Sequence, residues 1–282
     1  MPPLVSVIVP TYNRPKMLGE CLDSINRQTY PNIEAMIVND AGQDVGSVVS
    51  SHNVRNTMRY VEHPVNKGLA AARNSGIRAC HGKYIAYLDD DDIFYPKHIE
   101  TLVGVLEKGS HKVAYTDAYR AIQRKINGEY VVEKRDVPYS FEFDKDRILI
   151  SNYIPVICVM HDRSCLGKSG YFDESLTTHE DWDLWIRMSR TFDFKHIPET
   201  TCEFRWRFDD SSMTNERRDD FLRTIRLIHD RYREHVQGEG DIIKKQTSFM
   251  RRHARILKIH GYITSIDRIA GGRLHWIRRF LK

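Results

Sequence analysis

No stretch of this 282-residue chain approaches the roughly 20 consecutive apolar residues that a membrane-spanning helix needs, so no such helix is expected. The apolar segment Leu4–Val9 is too short and too poorly flanked for a signal peptide, and reads instead as a buried first strand. Cysteine is scarce: the five thiols (Cys21, Cys80, Cys158, Cys165, Cys202) are odd in number and show no Cys-x-x-Cys pair. That argues against a disulfide framework or a zinc site and for a reducing compartment, the cytoplasm by default. There is no internal repeat and no low-complexity segment. No nucleic-acid reader motif appears, so no nucleic acid is expected as a partner.

What is present is an ordinary globular composition, 41% hydrophobic and 29% charged, on a chain long enough for a full core. The charge is unevenly placed. From Lys244 to Lys282 there are 11 Lys/Arg against one acid, Asp267, about +10; the whole chain is +5, which leaves residues 1–243 at 5 − 10 = −5. An acidic body with a basic tail predicts that the tail meets an anionic surface.

The most informative run is Tyr84-Ile85-Ala86-Tyr87-Leu88-Asp89-Asp90-Asp91-Asp92. Its apolar half reads as a strand buried on both faces. Four adjacent carboxylates at the end of such a strand call for a cation. Hard oxygen ligands suit Mg²⁺ or Mn²⁺, with phosphate oxygens sharing the remaining positions. The competing reading is a solvated acidic loop in which Asp92 caps the next helix.

The first 120 residues alternate: strand Leu4–Tyr12, helix Lys16–Arg27, strands Ile33–Val38 and Met58–Val61, helix Leu69–Cys80, strand Tyr84–Leu88 and helix Pro96–Leu106. This order implies an α/β fold with a mixed, mostly parallel sheet flanked by helices. Small residues at Ala72, Gly76 and Ala79 predict close helix packing. Asn127-Gly128 marks a hairpin between Val113–Arg124 and Tyr130–Glu133. Further strands are expected at Ile154–Met160 and Cys202–Phe208, with a helix over Asp181–Arg190. Phe221, Leu222, Ile225, Ile228 and Tyr232 mark one face of an amphipathic helix. Gly238-Glu239-Gly240 is the expected boundary between the main α/β unit, 1–237, and a helical C-terminal extension, 238–282.

Other segments place chemistry at the carboxyl ends of strands, where open α/β sheets bind ligands. Pro10-Thr11-Tyr12-Asn13 offers an aromatic face and short polar groups, and Asp40 a carboxylate that can read a ribose or a base N–H. Lys67 and Arg73 can neutralise phosphate. Glu180 and Asp181 open a helix, where its dipole stabilises carboxylates; one of them can also act as a general base. A nucleotidyltransferase would show a Gly-rich, Arg/Lys-bearing loop after the first strand, and Pro10–Asn13 is unlike one.

Together these segments resemble the family 2 glycosyltransferases, which have the GT-A (Rossmann-like) fold. Four ordered motifs over roughly residues 4–235 carry the resemblance: Val5–Arg14, Val38–Asp40, Asn66–Asn74 with Leu88–Asp92, and Glu180–Trp185. The resemblance implies that Thr11, Tyr12 and Asp40 hold the base and ribose of a nucleotide-sugar donor and that Arg73 contacts it. It assigns Asp89 and Asp91 to an Asp-x-Asp motif, with Asp91 the stronger metal ligand and Asp89 or Asp90 nearer the ribose. Asp181 matches the catalytic base of inverting members, and Glu180 would lie against the acceptor. The donor would be a UDP, dTDP or GDP sugar and the acceptor a glycan or lipid-linked precursor of a bacterial surface polysaccharide or glycolipid. The rival reading is a non-catalytic nucleotide-sugar-binding or scaffold protein of the same fold.

Two departures qualify this. The Gln-x-x-Arg-Trp of processive synthases is replaced by Cys202-Glu203-Phe204-Arg205-Trp206, which implies single-sugar addition. Ser212-Met213-Thr214 fits a Ser-x-Ser/Thr pair, but Asp209 stands where many members carry His. In the tail, Ile263, Ile266, Ala270, Leu274, Ile277 and Leu281 recur at helical spacing among arginines, with Trp276 and Phe280. A basic amphipathic helix of this kind is expected to lie on an anionic membrane, here the inner face of the cell membrane.

Overall fold

The computed structural model describes residues 1–52, 57–207, 218–236 and 238–269, the side chains of 218–219 and 256–269 excepted. The apolar N-terminal runs form β1 (Val5–Thr11), β2 (Ile33–Asn39), β3 (Thr57–Glu62) and β4 (Tyr84–Tyr87). Every residue of β1, β2 and β4 is buried. The first connection is α1 (Pro15–Asn26), where Pro15 needs no hydrogen-bond partner for its nitrogen. It is followed by α2 (Gly46–His52), unanticipated from the sequence, and α3 (Leu69–Ala79). Gly76 explains the fit of α3 on the sheet: a Cβ there would lie 2.7 Å from Ile8 Cγ2.

These four strands pair in parallel in the order β3-β2-β1-β4. The chain winds outward from β1 to β3 and then returns to the other side of β1, so the order reverses between β1 and β4. A crevice opens at such a reversal, beyond the carboxyl ends of the strands. Leu88 N–H donates to Ile8 O, so Ile8 faces β4 and Pro10, two residues on, faces the space past the last residue of β4. A proline is tolerated there because no ladder bond is lost.

The rest of the sheet is mixed. It comprises β5 (Ile93–Phe94), β6 (Val113–Ile126), β7 (Glu129–Asp136), β8 (Val159–Asp162) and β9 (Phe194–Arg207), with α4 (His98–Leu106) between β5 and β6. The order continues from β4 through β8, β6 and β9 to β5; β8 is antiparallel to both neighbours and β6 is parallel to β9. The β6–β7 hairpin turns at Asn127 and Gly128, both at positive φ (51° and 90°), as expected for Asn-Gly.

Three expectations are corrected. Residues 156–158 form a 3₁₀ turn, closed by Cys158 N–H on Pro155 O, so the strand begins only at Val159. The last strand starts at Phe194 rather than Cys202; its pairing with β6 passes over Pro198 and Glu199 through bulges, which breaks the apolar pattern but not the strand. Asp92 caps no helix. It is buried and accepts Arg205 N–H at 2.8 Å, while α4 begins six residues later with no side-chain cap.

Three helices complete the described chain besides the short α5 (Leu166–Ser169): α6 (Glu180–Ser189), α7 (Arg218–Arg231) and α8 (Gly240–Ile269). The extension does not start as a detached tail. Ile242 and Gln246 are buried, and Phe249 and Met250 pack against the core. Opposite that face Lys244, Lys245, Arg251, Arg252 and Arg255 are exposed. Among the described residues no helix is long and apolar enough to cross a membrane.

Candidate active site

At the carboxyl end of β1, Thr11 donates its hydroxyl to Asp90 Oδ2 at 2.8 Å, a bond that spans the point where the strand order reverses. Asp90 also accepts from Arg14 Nη1 at 3.2 Å. Asp91 lies between two guanidinium groups, with Arg14 Nη1 at 3.2 Å and Arg207 Nη1 at 2.7 Å from its Oδ2. Arg207 is 2% exposed and is itself oriented by Gln123, which accepts its Nε–H at 3.0 Å. The sequence reading assigned no role to Arg14 or Arg207. Arg14 sits in a quoted motif, but Arg207 carries no local signal, since its partner is 116 residues away.

Crowding shows in the ionisation of Asp90 and Asp92. Burial, then repulsion from Asp91, pushes Asp90 up to about 7. Burial and repulsion from Asp91 also hold Asp92 well above the usual carboxylate range. A cation beyond Arg14, Arg73 and Arg207 would therefore be favourable here. Asp89 and Asp91 keep partly open side chains, and both offer hard oxygens. Among the described residues no three His, Cys, Asp or Glu side chains converge on one point, so this is no closed metal cage. A divalent ion held by one or two carboxylates, its other positions left to phosphate oxygens, fits such an arrangement.

Tyr12 projects beside this cluster, 48% exposed, as an aromatic face should be. Asn13, at φ 57°, accepts Gln43 N–H at 2.8 Å and so ties the loops after β1 and β2 together. Asp40 is buried and holds the loop after β3. Its Oδ1 accepts Lys67 N–H at 2.8 Å and its Oδ2 accepts Gly68 N–H at 2.7 Å. His63 bridges it to Ser75, with contacts of 2.7 and 2.8 Å. Asp40 thus pins the Lys67-Gly68 loop, and the Lys67 side chain is exposed.

Arg73 and Glu180 pair with each other inside the fold. Arg73 is 1% exposed and its fork joins Asp89 Oδ1, at 2.6 Å, to Glu180 Oε1. Glu180, also buried, faces Arg73. The pair links the acidic cluster to the start of α6. Burial opposes the charge on Arg73, and Asp89, Glu180 and Asp181 more than restore it.

Asp181 follows at the first turn of α6, half-buried. Its Oδ1 accepts Trp182 N–H at 2.7 Å and its Oδ2 accepts Asn152 Nδ2–H at 3.0 Å. Burial, then repulsion from Glu180, pushes its carboxyl up to about 7; Arg73 and the two donors hold it from rising further. His179, at φ 57°, starts the helix, and burial lowers its imidazole to about 4, leaving it neutral. Trp182 and Trp185 are wholly buried and anchor α6 through Nε1–H bonds to Ile148 O and Ile154 O. Asp183 is structural, held by Arg187, Arg231 and Tyr232. Asp209 and Ser212–Thr214 lie outside the described residues.

An acidic cluster at a strand-order reversal, joined through one buried arginine to Glu180, the residue before Asp181, suits a transferase on a GT-A fold. Comparison agrees: residues 6–166 match the profile of "Glycosyl transferase family 2". The chain is 36% identical over 196 residues to the Rickettsia prowazekii glycosyltransferase RP339, covering 67% of this chain and 59% of that one. It is 33% identical over 202 residues to the Bacillus subtilis glycosyltransferase YwdF, covering 69% and 71%. Among solved structures, S. aureus TarS 1–349 in complex with UDP-GlcNAc superimposes with a TM-score of 0.67 at 20% identity, covering 89% of this chain and 72% of that one. The Pyrobaculum calidifontis mannosyltransferase PcManGT, in complex with GDP-Man and Mn²⁺, gives 0.63 at 16%, covering 96% and 76%. At those identities the structural likeness carries the fold alone. The chain belongs to glycosyltransferase family 2.

Proposed function

We propose that this glycosyltransferase moves a single sugar, with inversion, from a nucleoside-diphosphate sugar to an acceptor hydroxyl in surface-glycan or glycolipid synthesis. The observation that carries this is the Arg73 fork, which couples Asp89 in the acidic cluster to Glu180, the residue before Asp181. Leaving-group side and acceptor side thus form one rigid ion-pair network. The UDP-GlcNAc and GDP-Man complexes of the structural neighbours support this donor class.

The acceptor hydroxyl attacks the anomeric carbon as its proton passes to Asp181, and the bond from that carbon to the diphosphate oxygen breaks. A carboxylate near pKa 7 is a matched base for this step. Tyr12 supplies a face for the base, and the loop pinned by Asp40 presents Lys67 to phosphate. Asp91, with Asp89, would hold Mn²⁺ or Mg²⁺, whose chemistry is to neutralise charge on the departing diphosphate.

Thermal melts with UDP, dTDP, GDP and CDP, each with and without Mn²⁺, test the donor site. A nucleotide at 100 times its Kd should add roughly 2.7 kcal/mol. One nucleotide is expected to stabilise only with metal, and the gain should vanish in Asp91→Ala. Equal stabilisation of that variant would remove Asp91 from the site, and no shift with any nucleotide would favour a non-catalytic protein of this fold.

The catalytic unit, 1–237, would be brought to a lipid-linked acceptor by the basic extension, 238–282, lying on anionic lipid. Truncation at Gly240 would strip Ile242 and Gln246 from the core, so charge reversal is the cleaner test. Lys244→Glu, Arg251→Glu and Arg255→Glu together should lower binding to anionic liposomes on the order of 10²-fold, at about 1 kcal/mol per cation. Unchanged flotation would dismiss the membrane role.

A further inference from the structure

The segment following β7 and leading to the 3₁₀ turn at 156–158 is fastened in an unusual way. Four of its backbone carbonyls accept side-chain donors from three different helices. Ile148 O takes Trp182 Nε1–H at 2.5 Å and Ile154 O takes Trp185 Nε1–H at 3.2 Å, both from α6. Ile150 O lies 3.0 Å from His229 Nε2 of α7, and Leu149 O accepts Gln246 Nε2–H of α8 at 2.8 Å. A loop without ladder bonds of its own is thereby given a fixed backbone path.

The residue at the centre of this fastened stretch is Asn152. Ile154 N–H donates to its Oδ1 at 3.2 Å, which settles which end of the amide is which. Its Nδ2 must then face the other way, and there it donates to Asp181 Oδ2 at 3.0 Å. The second oxygen of Asp181 is held by Trp182 N–H, within its own helix. Of the two bonds, only the one from Asn152 comes from another part of the fold.

We infer that Asn152 is a positioning residue for Asp181, orienting its carboxylate and favouring its charged form, and that the C-terminal helices hold Asn152 in place through Ile150 and Leu149. This rests on the reading of Asp181 as the base. An amide donor strengthens when its acceptor is ionised. The bond therefore matters most above the pH at which Asp181 ionises. The charged groups facing Asp181 are Glu180 on its own helix and Arg73 from α3. His179, just before α6, and His229, whose ring packs on Trp182, are both lowered by burial, which favours their neutral forms.

The test is a double-mutant cycle read by melting temperature near pH 5.5 and near pH 9, using Asn152→Ala, Asp181→Asn and both. A hydrogen bond to a charged group translates into about 3–10 °C for a chain of this size. Asn152→Ala should lose that much at pH 9 and clearly less at pH 5.5, and the difference between the two pH values should disappear in the Asp181→Asn background. An equal cost at both pH values, or a pH-dependent cost that survives in that background, overturns the inference. Should Asn152→Ala fail to fold, Asn152→Ser keeps a donor and must show the same pH signature at smaller size.

Nucleoside-diphosphate release from sugar donors carrying the nucleotide chosen by the thermal melts adds a kinetic arm. The acid limb of the Asn152→Ala pH profile should move up by about 1–2 pH units with donor KM unchanged. A uniform drop at every pH would mean a merely structural role. If Asp181→Asn keeps turnover, the base assignment falls, while the thermal cycle still judges the contact. If Asp181→Asn is inactive and the Asn152→Ala limb does not move, only the role of Asn152 falls.

Discussion

Asp181→Asn is expected to lower turnover by about 10²–10⁴-fold, the worth of a positioned base, while leaving nucleotide binding intact. The same substitution should make the protein more stable at alkaline pH. Asp181 ionises near 7 in the fold, above its ordinary 3.8, because burial and then Glu180 disfavour the charge. A carboxyl raised in this way costs nothing below its unfolded pKa, and the cost grows as pH rises to the folded value. The neutral amide escapes it, so the gain in melting temperature should be largest above pH 7 and shrink toward pH 4. Function is thus bought with local instability, as at many catalytic carboxyls. Loss of donor affinity equal to the loss of turnover, or a melting temperature lower at pH 8 than at pH 5 relative to wild type, would show that Asp181 is a structural group instead.

Arg73→Met should have the largest effect on the fold. The guanidinium is enclosed, joins Asp89 to Glu180, and lies over the Phe172 ring at 5.4 Å. Removing it leaves two carboxylates facing each other with no cation between them. Breaking a buried pair by deleting one partner costs about 3–5 kcal/mol. For a chain of this length that corresponds to a fall in melting temperature of roughly 6–20 °C. Arg73→Lys keeps the charge but cannot present a fork to both acids, so it should fall between. Combining Arg73→Met with Glu180→Gln should recover part of the loss, because one of the stranded charges is gone. A change within about 1 kcal/mol for Arg73→Met would mean that water or an ion replaces the guanidinium easily, and the coupling of the two halves of the site would lose its support.

The parts of the fold that the chain announces are those with local causes. The buried runs at Val5–Thr11, Ile33–Asn39 and Tyr84–Tyr87 form strands where their β-branched and aromatic composition places them. Asn127-Gly128 turns its hairpin because both residues accept positive φ. Gly76 is small because α3 lies directly on Ile8. Elements with weak local signals were not legible: α2 has only Val49 buried, and the bulged start of β9 carries Pro198 and polar residues.

The candidate site divides along the same line. The four acids, Tyr12, Asp40, Arg73 and Asp181 were identifiable by residue type and motif, since a strand end or a helix start places each of them. Their partners were not. Arg73 and Glu180 face each other across 107 positions, a pairing that neither motif announces. Arg207, 116 positions from Asp91, and Asn152, 29 from Asp181, had no local mark at all. By itself the sequence determined which groups exist and which end of the sheet they occupy, because periodicity and strand ends are short-range properties. Only the tertiary structure decided which charge opposes which, because a buried ion pair is chosen by the packing of distant elements and not by neighbours along the chain.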